Sequence, residues 1–183
     1  MARPRVVILS DTHGRLPAEV LHACRGADRI IHAGDVGSGT IIPELEAAAP
    51  LAVVGGNVDP SSLAPVRARV KAGGWRILVQ HIAWERGGPS GEIQELLARQ
   101  RADLVVFGHT HEPMCVEREG VVFLNPGSCG ARRFSWPRSY AQAVFDSRGI
   151  EIRILDLDHP GAAIAEARFL APGRRPGGWA ARG

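Results

Sequence analysis

The stretch RVVILSDTHG, residues 5–14, joins a β-branched and aliphatic run to a polar turn. Its consecutive apolar residues, bounded by Ser10 and Asp11, predict a short buried strand. Asp11 and His13 then offer a carboxylate and an imidazole, and a helical pattern follows from Pro17 to Arg25. A buried strand that leads into a helix is typical of a parallel sheet with crossover helices.

The same rhythm continues along the chain. The remaining predicted elements are strands at 29–34 and 51–56 with a helix at 40–49 between them, a hairpin around Gly73-Gly74, a helix at 91–101, a buried strand at 103–108, and hairpins over 114–124 and 139–155. The fold class is therefore α/β, with antiparallel strands added in the second half. We expect residues 1–156 to form the domain and residues 157–183 to form a tail. In the tail we expect a short helix, followed by a flexible segment rich in proline, glycine and arginine.

Composition excludes several classes of protein. A chain of 183 residues with 45% apolar and 22% charged residues fits one globular domain. The net charge of +3 is spread along the sequence, which mildly favours anionic partners and does not indicate nucleic acid. Cys24, Cys115 and Cys129 lack the paired spacing of a metal or redox motif, so we expect three free thiols. Since no signal peptide or membrane span is evident, we expect a cytoplasmic protein.

Polar side chains follow five of the predicted strands. They are Asp11 and His13, Asp35, Asn57, His81, and His109 with His111. Because ligands of α/β sheets bind at the carboxyl ends of the strands, we expect these side chains to converge at one edge. The neighbouring glycines fit a site that is closely approached by backbone.

These seven oxygen and nitrogen ligands indicate two metal ions, since one structural zinc uses about four. Pairs of divalent ions serve phosphoester hydrolysis because they hold both the attacking and the departing oxygen. Mixed imidazole and carboxylate ligands suit Mn, Ni, Zn, Co or Fe better than Ca or Mg, and Mn is our first expectation. From their spacing at a strand end, we expect His109 and His111 to present their imidazoles in the same direction.

The ordered motifs DTHG, GDV, GNVD, the isolated His81, GHTH and NPGS resemble those of the calcineurin-like metallophosphoesterases. The resemblance covers residues 5–155 and is strongest to the small bacterial and archaeal phosphodiesterases of that superfamily. It implies a four-layer αββα sandwich. It also implies a phosphodiesterase with a dinuclear metal centre, a bridging hydroxide as nucleophile and a small phosphodiester substrate. Whether the protein forms a homo-oligomer stays an open question.

The resemblance also implies roles for individual residues. One metal would be held by Asp11, His13, Asp35 and His111, and a second by Asp35, Asn57, His81 and His109, with Asp35 bridging the two. The expected catalytic residues are Asn57, Asp59 and His109. Asn57 is expected to bind substrate. From the residues alone, Arg132 and Arg133 are candidates for binding substrate phosphate or a partner, and a solvated basic loop is the default interpretation.

Two positions depart from the family pattern. Many members have a histidine after the asparagine as the acid for the leaving oxygen, whereas this chain has Val58. We therefore expect diesters with good leaving groups to be preferred over alkyl monoesters, and Asp59 to bind water or end the turn. His81 is followed by Ile82 instead of glycine, and Trp84 or Arg86 would replace the missing polar groups.

Other interpretations remain open at this stage. The chain could be a non-catalytic binding scaffold, as in the resembling retromer subunit of eukaryotes, or a phosphomonoesterase. NPGS is either a tight turn or a wall of the site. We expect His22 and His159 to be surface residues, His32 to be packed in the core or to support the ligands, and Cys129 to be a buried residue instead of a nucleophile.

Overall fold

A computed structural model gives the fold and describes residues 3–130, 132 and 135–172. Over these residues the chain forms three helices and thirteen strands. The helices are α1 Ala18–Cys24, α2 Ile41–Glu46 and α3 Gly91–Arg99. The strands are β1 Arg5–Leu9, β2 Arg29–His32, β3 Leu51–Val53, β4 Arg67–Ala72, β5 Trp75–Gln80, β6 Trp84–Glu85, β7 Gly88–Pro89, β8 Leu104–Val106, β9 Met114–Arg118, β10 Val121–Asn125, β11 Ser139–Phe145, β12 Gly149–Asp156 and β13 Ala163–Leu170.

Two large sheets contain all of these strands except β6 and β7, which pair with each other. The first sheet has the order β13-β12-β11-β1-β2-β3, and its β1, β2 and β3 run parallel. The second has the order β4-β5-β8-β10-β9, with β5, β8 and β10 parallel. The three predicted hairpins are confirmed as β4–β5, β9–β10 and β11–β12.

The sheets stack face to face, and helices cover both outer faces. Along β1, Val6 and Ile8 pack between the sheets, while Val7 and Leu9 pack on the opposite face. That outer face is covered by α1 and α2, and the outer face of the second sheet by Ile93 of α3. Each fully buried aliphatic side chain contributes about 1.5 to 3 kcal/mol. The expected four-layer αββα sandwich is confirmed.

The region after residue 156 differs from the sequence-based expectation. The predicted short helix is wrong, because Ala163–Leu170 form β13, antiparallel to β12. Their side chains alternate between half-buried and exposed, and Ala165 and Phe169 pack against the core between the sheets. The first sheet therefore extends past the expected boundary at residue 156. The flexible segment predicted for the end of the chain falls on residues 173–183, outside the described ranges.

The loops after the parallel strands lie side by side. The backbone N–H of Asp11 donates to the carbonyl of Gly34 at 2.9 Å, and that of His13 to Asp35 at 3.0 Å, which joins the loops after β1 and β2. The N–H of Gly108 donates to the carbonyl of His81 at 3.0 Å, which joins the loops after β8 and β5. These bonds hold the predicted ligand loops at one edge of the sandwich.

Candidate metal centre

The first of two ligand clusters lies at the ends of β1 and β8. Nε2 of His13 is 3.2 Å from Nε2 of His111, and the latter is 3.1 Å from Oδ1 of Asp11. Oδ2 of Asp35 lies 3.8 Å from Nε2 of His13. Three of these side chains, those of Asp11, His13 and His111, place one ligand atom each within 4.8 Å of one another.

The second cluster lies at the ends of β2, β3, β5 and β8. Nε2 of His81 is 3.3 Å from Oδ1 of Asp35 and 3.1 Å from Oδ1 of Asn57. The same amide oxygen is 2.8 Å from Nδ1 of His109. The structure thus brings all seven predicted ligands together, and their division between two metal ions stays a prediction.

Asp35 stands between the clusters and turns one carboxylate oxygen toward each. It is buried, and burial alone would raise its pKa. The hydrogen bond and the charge of His81 outweigh that effect and bring the pKa of Asp35 down to about 2. The carboxylate is therefore ionised at neutral pH, as a bridging metal ligand must be.

Buried polar atoms of the first cluster fit a cation. Oδ1 of Asp11 is inaccessible to solvent and makes no hydrogen bond among the described residues, although Nε2 of His111 lies 3.1 Å away. Its other oxygen accepts the backbone N–H of His109 at 3.2 Å, which fixes the carboxylate. A buried carboxylate oxygen without a donor is costly, and a cation placed among it and the neighbouring imidazoles would remove that cost.

The orientation of His81 also fits a metal ligand. Its Nδ1 lies 2.7 Å from the carbonyl oxygen of Ala33, and a carbonyl only accepts, so Nδ1 carries a proton. A neutral His81 therefore presents the lone pair of Nε2 to the cluster, as metal-binding histidines do. Burial would lower the pKa of His81, but bonding to Asp35 raises it in the metal-free protein. With oxygen and nitrogen donors only, the residues suit divalent transition metals.

Five of the predicted ligands adopt left-handed backbone conformations. They are Asp11 (φ 55°), His13 (φ 46°), Asp35 (φ 53°), His109 (φ 68°) and His111 (φ 58°). Each such residue costs about 1 to 2 kcal/mol, and strain of this kind concentrates at functional sites. The strand-alternation argument for the histidine pair is wrong, since β8 ends at Val106. The two imidazoles instead reach different clusters.

Glycines let backbone approach the ligands closely, as the sequence predicts. A Cβ on Gly56 would lie 2.0 Å from Oδ1 of Asp35. A Cβ on Gly108 would lie 2.0 Å from Oγ of Ser10 and 2.5 Å from Oδ2 of Asp11. Neither position accepts a side chain without displacing a residue of the site.

His32 is fully buried and connects two ligand loops. Its Nδ1 accepts the N–H of Gly34 at 3.2 Å, so its Nε2 carries the proton and donates to Oγ1 of Thr12 at 2.9 Å. That hydroxyl donates in turn to the carbonyl of Val36 at 2.9 Å. Burial lowers the pKa of His32 to about 4 and keeps it neutral at pH 7. The expectation that His32 packs in the core or supports the ligands is confirmed.

The NPGS motif is both a tight turn and a brace for the site. Oδ1 of Asn125 accepts the N–H of Gly127 at 2.9 Å, which closes the turn. Nδ2 of Asn125 donates to the carbonyl of Gly108 at 3.0 Å and to Oγ1 of Thr110 at 2.9 Å. Oγ of Ser128 donates to the carbonyl of Asp11 at 2.9 Å. Sequence reasoning missed these supporting bonds, although the position of the motif after the histidine pair was a signal.

Asp59 joins two loops beside the second cluster. Its carboxylate accepts three backbone N–H groups, those of Val36 at 3.0 Å and of Gly37 and Gly56 at 2.9 Å. These bonds fix the loop after β2 against the loop after β3. The geometry gives Asp59 a positioning role, and contact with substrate stays a prediction.

The structure places the residues suggested for substrate contacts in different environments. Arg132 is exposed, and Arg133 lies outside the described ranges. Trp84 stacks on Phe107 with ring centroids 6.1 Å apart, and the guanidinium of Arg118 lies 5.2 Å from its ring centre. Trp84 therefore belongs to the apolar layer under α3, and the expectation that it replaces a polar group of the site is wrong.

The remaining sequence-based expectations concern residues away from the ligands. His22 and His159 are exposed, and the three cysteines are free thiols, as predicted. Cys129 is fully buried, and burial raises the pKa of its thiol, which agrees with a packing role. None of the described helices has the length and apolar character needed to cross a bilayer.

Comparisons with known proteins agree with this geometry. Residues 5–148 match the calcineurin-like phosphoesterase superfamily domain. A probable metallophosphoesterase from Methanothermobacter thermautotrophicus is 34% identical over 137 residues, which cover 71% of this chain and 80% of the relative. Vacuolar protein sorting 29 from Cryptosporidium parvum superposes with a TM-score of 0.78 at 20% identity, over 92% of this chain and 99% of that chain. The phosphoesterase YfcE from E. coli superposes with a TM-score of 0.66 at 24% identity, over 89% of this chain and 98% of that chain. The chain belongs to the calcineurin-like phosphoesterase superfamily.

Proposed function

We propose that this protein is a metal-dependent phosphodiesterase that uses two divalent cations. The observation that supports this proposal is the position of Asp35, whose Oδ1 faces His81 at 3.3 Å and whose Oδ2 faces His13 at 3.8 Å. A pair of bound cations would supply an activated water at neutral pH and neutralise charge on the phosphate. Mn is the first candidate, followed by Ni, Zn, Co and Fe.

The ligand side chains divide between the two ions. The first ion would be held by Asp11, His13, Asp35 and His111, and the second by Asp35, Asn57, His81 and His109. With Oδ1 of Asn57 directed at the two histidines, its Nδ2 is placed to donate to a phosphate oxygen. We assign Asn57 and His109 to contact with the reacting phosphate. Asp59 acts as a positioning residue through its bonds to the backbone.

The preference for diesters follows from Val58. This residue occupies the position of the expected proton donor, and it is 54% exposed. Valine has no proton to give to a departing alkoxide, so a contribution of about 10²- to 10⁴-fold is missing. Diesters with acidic leaving alcohols depend least on that contribution.

Asp35→Asn tests the proposal. The variant removes the charge, while its Oδ1 still accepts the N–H of Val58, a bond of 3.1 Å in this structure. The chelated protein is reloaded with Mn, Ni, Zn, Co or Mg, metal content is measured, and hydrolysis of bis(p-nitrophenyl) phosphate is followed. We expect about two ions per chain in the parent protein and a loss of turnover of at least about 10²-fold in Asp35→Asn.

Two further variants complete the test. His111→Ala is expected to lose turnover as Asp35→Asn does, whereas Asp28→Asn, an exposed carboxylate outside the site, keeps the parental rate. Circular dichroism checks that each variant is folded. Parental turnover in a folded Asp35→Asn or His111→Ala protein would refute the proposal.

A second candidate is a binding scaffold with the same fold but no useful turnover. Val58 favours it, since an exposed apolar residue stands where a proton donor is expected. A phosphomonoesterase is the third candidate. Metal content and the diester rate separate the scaffold from the enzyme, and parallel assays with p-nitrophenyl phosphate separate the two enzymatic candidates.

A further inference from the structure

A groove with a volume of about 470 Å³ opens beside the second cluster. Asn57 and His81 are among its lining residues, so a substituent that extends on that side from a phosphate bound at the cluster enters the groove. Small-molecule sites in proteins enclose about 300 to 1,000 Å³, so the groove is large enough for an alcohol arm of a diester.

Part of the groove is apolar. Ala64, Val66 and Ile82 line it, and Val66 is 70% exposed. Apolar side chains that line a concave surface next to polar ligands favour the carbon skeleton of a bound organic group. An arm with methyl or methylene groups would cover this wall.

The charged residues that line the groove are all carboxylates. Asp59 is engaged by backbone N–H groups, and Glu92 is paired with Arg67 at 2.5 Å and accepts from Gln80 at 2.7 Å. Glu85 is exposed and makes no ion pair within the part of the chain that the structure describes. The described lining contains neither lysine nor arginine, so away from the metal ligands the unpaired charge of the lining is the negative charge of Glu85.

We propose that this groove binds the alcohol arm of the phosphodiester and selects a cationic arm, with a quaternary or primary ammonium on a short carbon chain. This inference rests on the proposed function. The wall of Ala64, Val66 and Ile82 contacts the carbon skeleton, and Glu85 attracts the ammonium. A second phosphate on the arm would be repelled, so diesters with a further phosphate are poor substrates.

A pair of esters with the same shape tests the charge selection. p-Nitrophenyl phosphorylcholine and p-nitrophenyl 3,3-dimethylbutyl phosphate share a leaving group and differ only in the positive charge of the arm. We expect kcat/KM for the choline ester to exceed that for the neutral ester by about 1.5- to fivefold, the range of an exposed ion pair. Glu85→Gln should bring the ratio close to one, while Glu46→Gln, an exposed residue of α2, keeps the ratio of the parent.

Blocking the groove tests where the arm lies. Val66→Trp adds bulk at an exposed residue of the lining, and it should lower kcat/KM for the choline ester relative to p-nitrophenyl methyl phosphate, whose arm is a single methyl group. Val116→Trp, at an exposed valine of β9 outside the groove, is the matched control and should leave that ratio unchanged.

The outcomes separate this inference from the function on which it rests. Hydrolysis of both esters with equal kcat/KM in the parent protein would overturn charge selection alone. An unchanged ratio in Val66→Trp would overturn the assignment of the arm to the groove. No hydrolysis of any ester, including bis(p-nitrophenyl) phosphate, by the metal-loaded protein would overturn the proposed function and this inference together.

Discussion

At the scale of single residues, we expect Val58 to influence which phosphoesters the site cleaves. Its backbone N–H donates to Oδ1 of Asp35 at 3.1 Å, so a side chain at this position starts within reach of the second cluster. We expect Val58→His to raise kcat/KM on p-nitrophenyl phosphate and alkyl monoesters by about 10- to 100-fold, because an imidazolium can protonate the leaving oxygen.

The expected gain stays at the low end because Asp59, the neighbour that would orient the new imidazole, is already bonded to three backbone N–H groups. Val58→Gln, which adds polarity without a titratable proton, is the matched control. Equal monoester rates in the two folded, metal-loaded variants would contradict the account of the missing acid.

Gly56 tests how closely the backbone must approach Asp35. A Cβ at this position would lie 2.0 Å from Oδ1 of Asp35, so Gly56→Ala must displace the carboxylate between the clusters. We expect at least about a tenfold loss of metal affinity and a loss of about 1 to 3 kcal/mol in unfolding free energy, as for overpacked sites. Metal titration and urea unfolding measure the two effects.

Gly39→Ala is the control for this substitution, because a Cβ there meets no atom within 4 Å. It should bind metal as the parent does. Parental metal affinity in Gly56→Ala would show that the position of Asp35 does not depend on this close approach.

The convergence of these polar side chains could be predicted from the sequence, but their backbone geometry could not. Polar residues after buried strands, such as Asp11 and His81, are evident because strand ends meet at one edge. The left-handed conformations of His109 and His111 oppose the intrinsic preference of histidine and are held by tertiary contacts, such as the bond from the N–H of His109 to Asp11. The bonds of Asn125 are equally tertiary. Local patterns contain no signal for such long-range contacts.

At the scale of secondary-structure elements, the local sequence of β13 predicts a helix where the chain forms a strand. Its alanines favour a helix by intrinsic propensity. The chain nevertheless places Ala165 and Phe169 toward the core and leaves Ile164 and Leu170 exposed, a period of two that fits a strand. Pairing with β12 over seven residue pairs outweighs the propensity of the segment. The parallel strands were predictable because their apolar runs are short and continuous.

Removal of β13 should expose the edge of the first sheet. A chain ending at Asp156 loses the pairing partner of β12 and the packing of Phe169, and it leaves backbone donors and acceptors open to other chains. We expect a lower urea midpoint and concentration-dependent light scattering. A chain ending at Pro172 keeps the strand and is the matched control. Equal midpoints for the two chains would show that the domain is complete at residue 156.

At the scale of the whole molecule, the sandwich holds a buried, neutral histidine between two ligand loops, which makes stability depend on pH. The pKa of His32 is lowered from its ordinary value of 6.5 to about 4 in the folded protein. Between these pH values the unfolded chain binds a proton that the folded chain does not. The contribution of neutral His32 to the free energy of unfolding is therefore fully present above pH 6.5 and decreases as the pH drops. A shift of this size corresponds to a loss on the order of 3 kcal/mol.

Urea unfolding of the metal-free protein at pH 7 and pH 5, compared with His32→Asn, isolates this contribution. The asparagine offers Oδ1 to the N–H of Gly34 but has no imidazole to protonate. We therefore expect a lower free energy of unfolding at pH 7 and a smaller loss between pH 7 and pH 5.

His81, whose raised pKa favours the folded state on the acid side, acts in the opposite direction and is common to both proteins. His22→Asn removes an exposed imidazole of α1 and should keep the parental pH dependence. If His32→Asn also keeps the parental pH dependence, protonation of His32 does not cause the loss of stability at low pH.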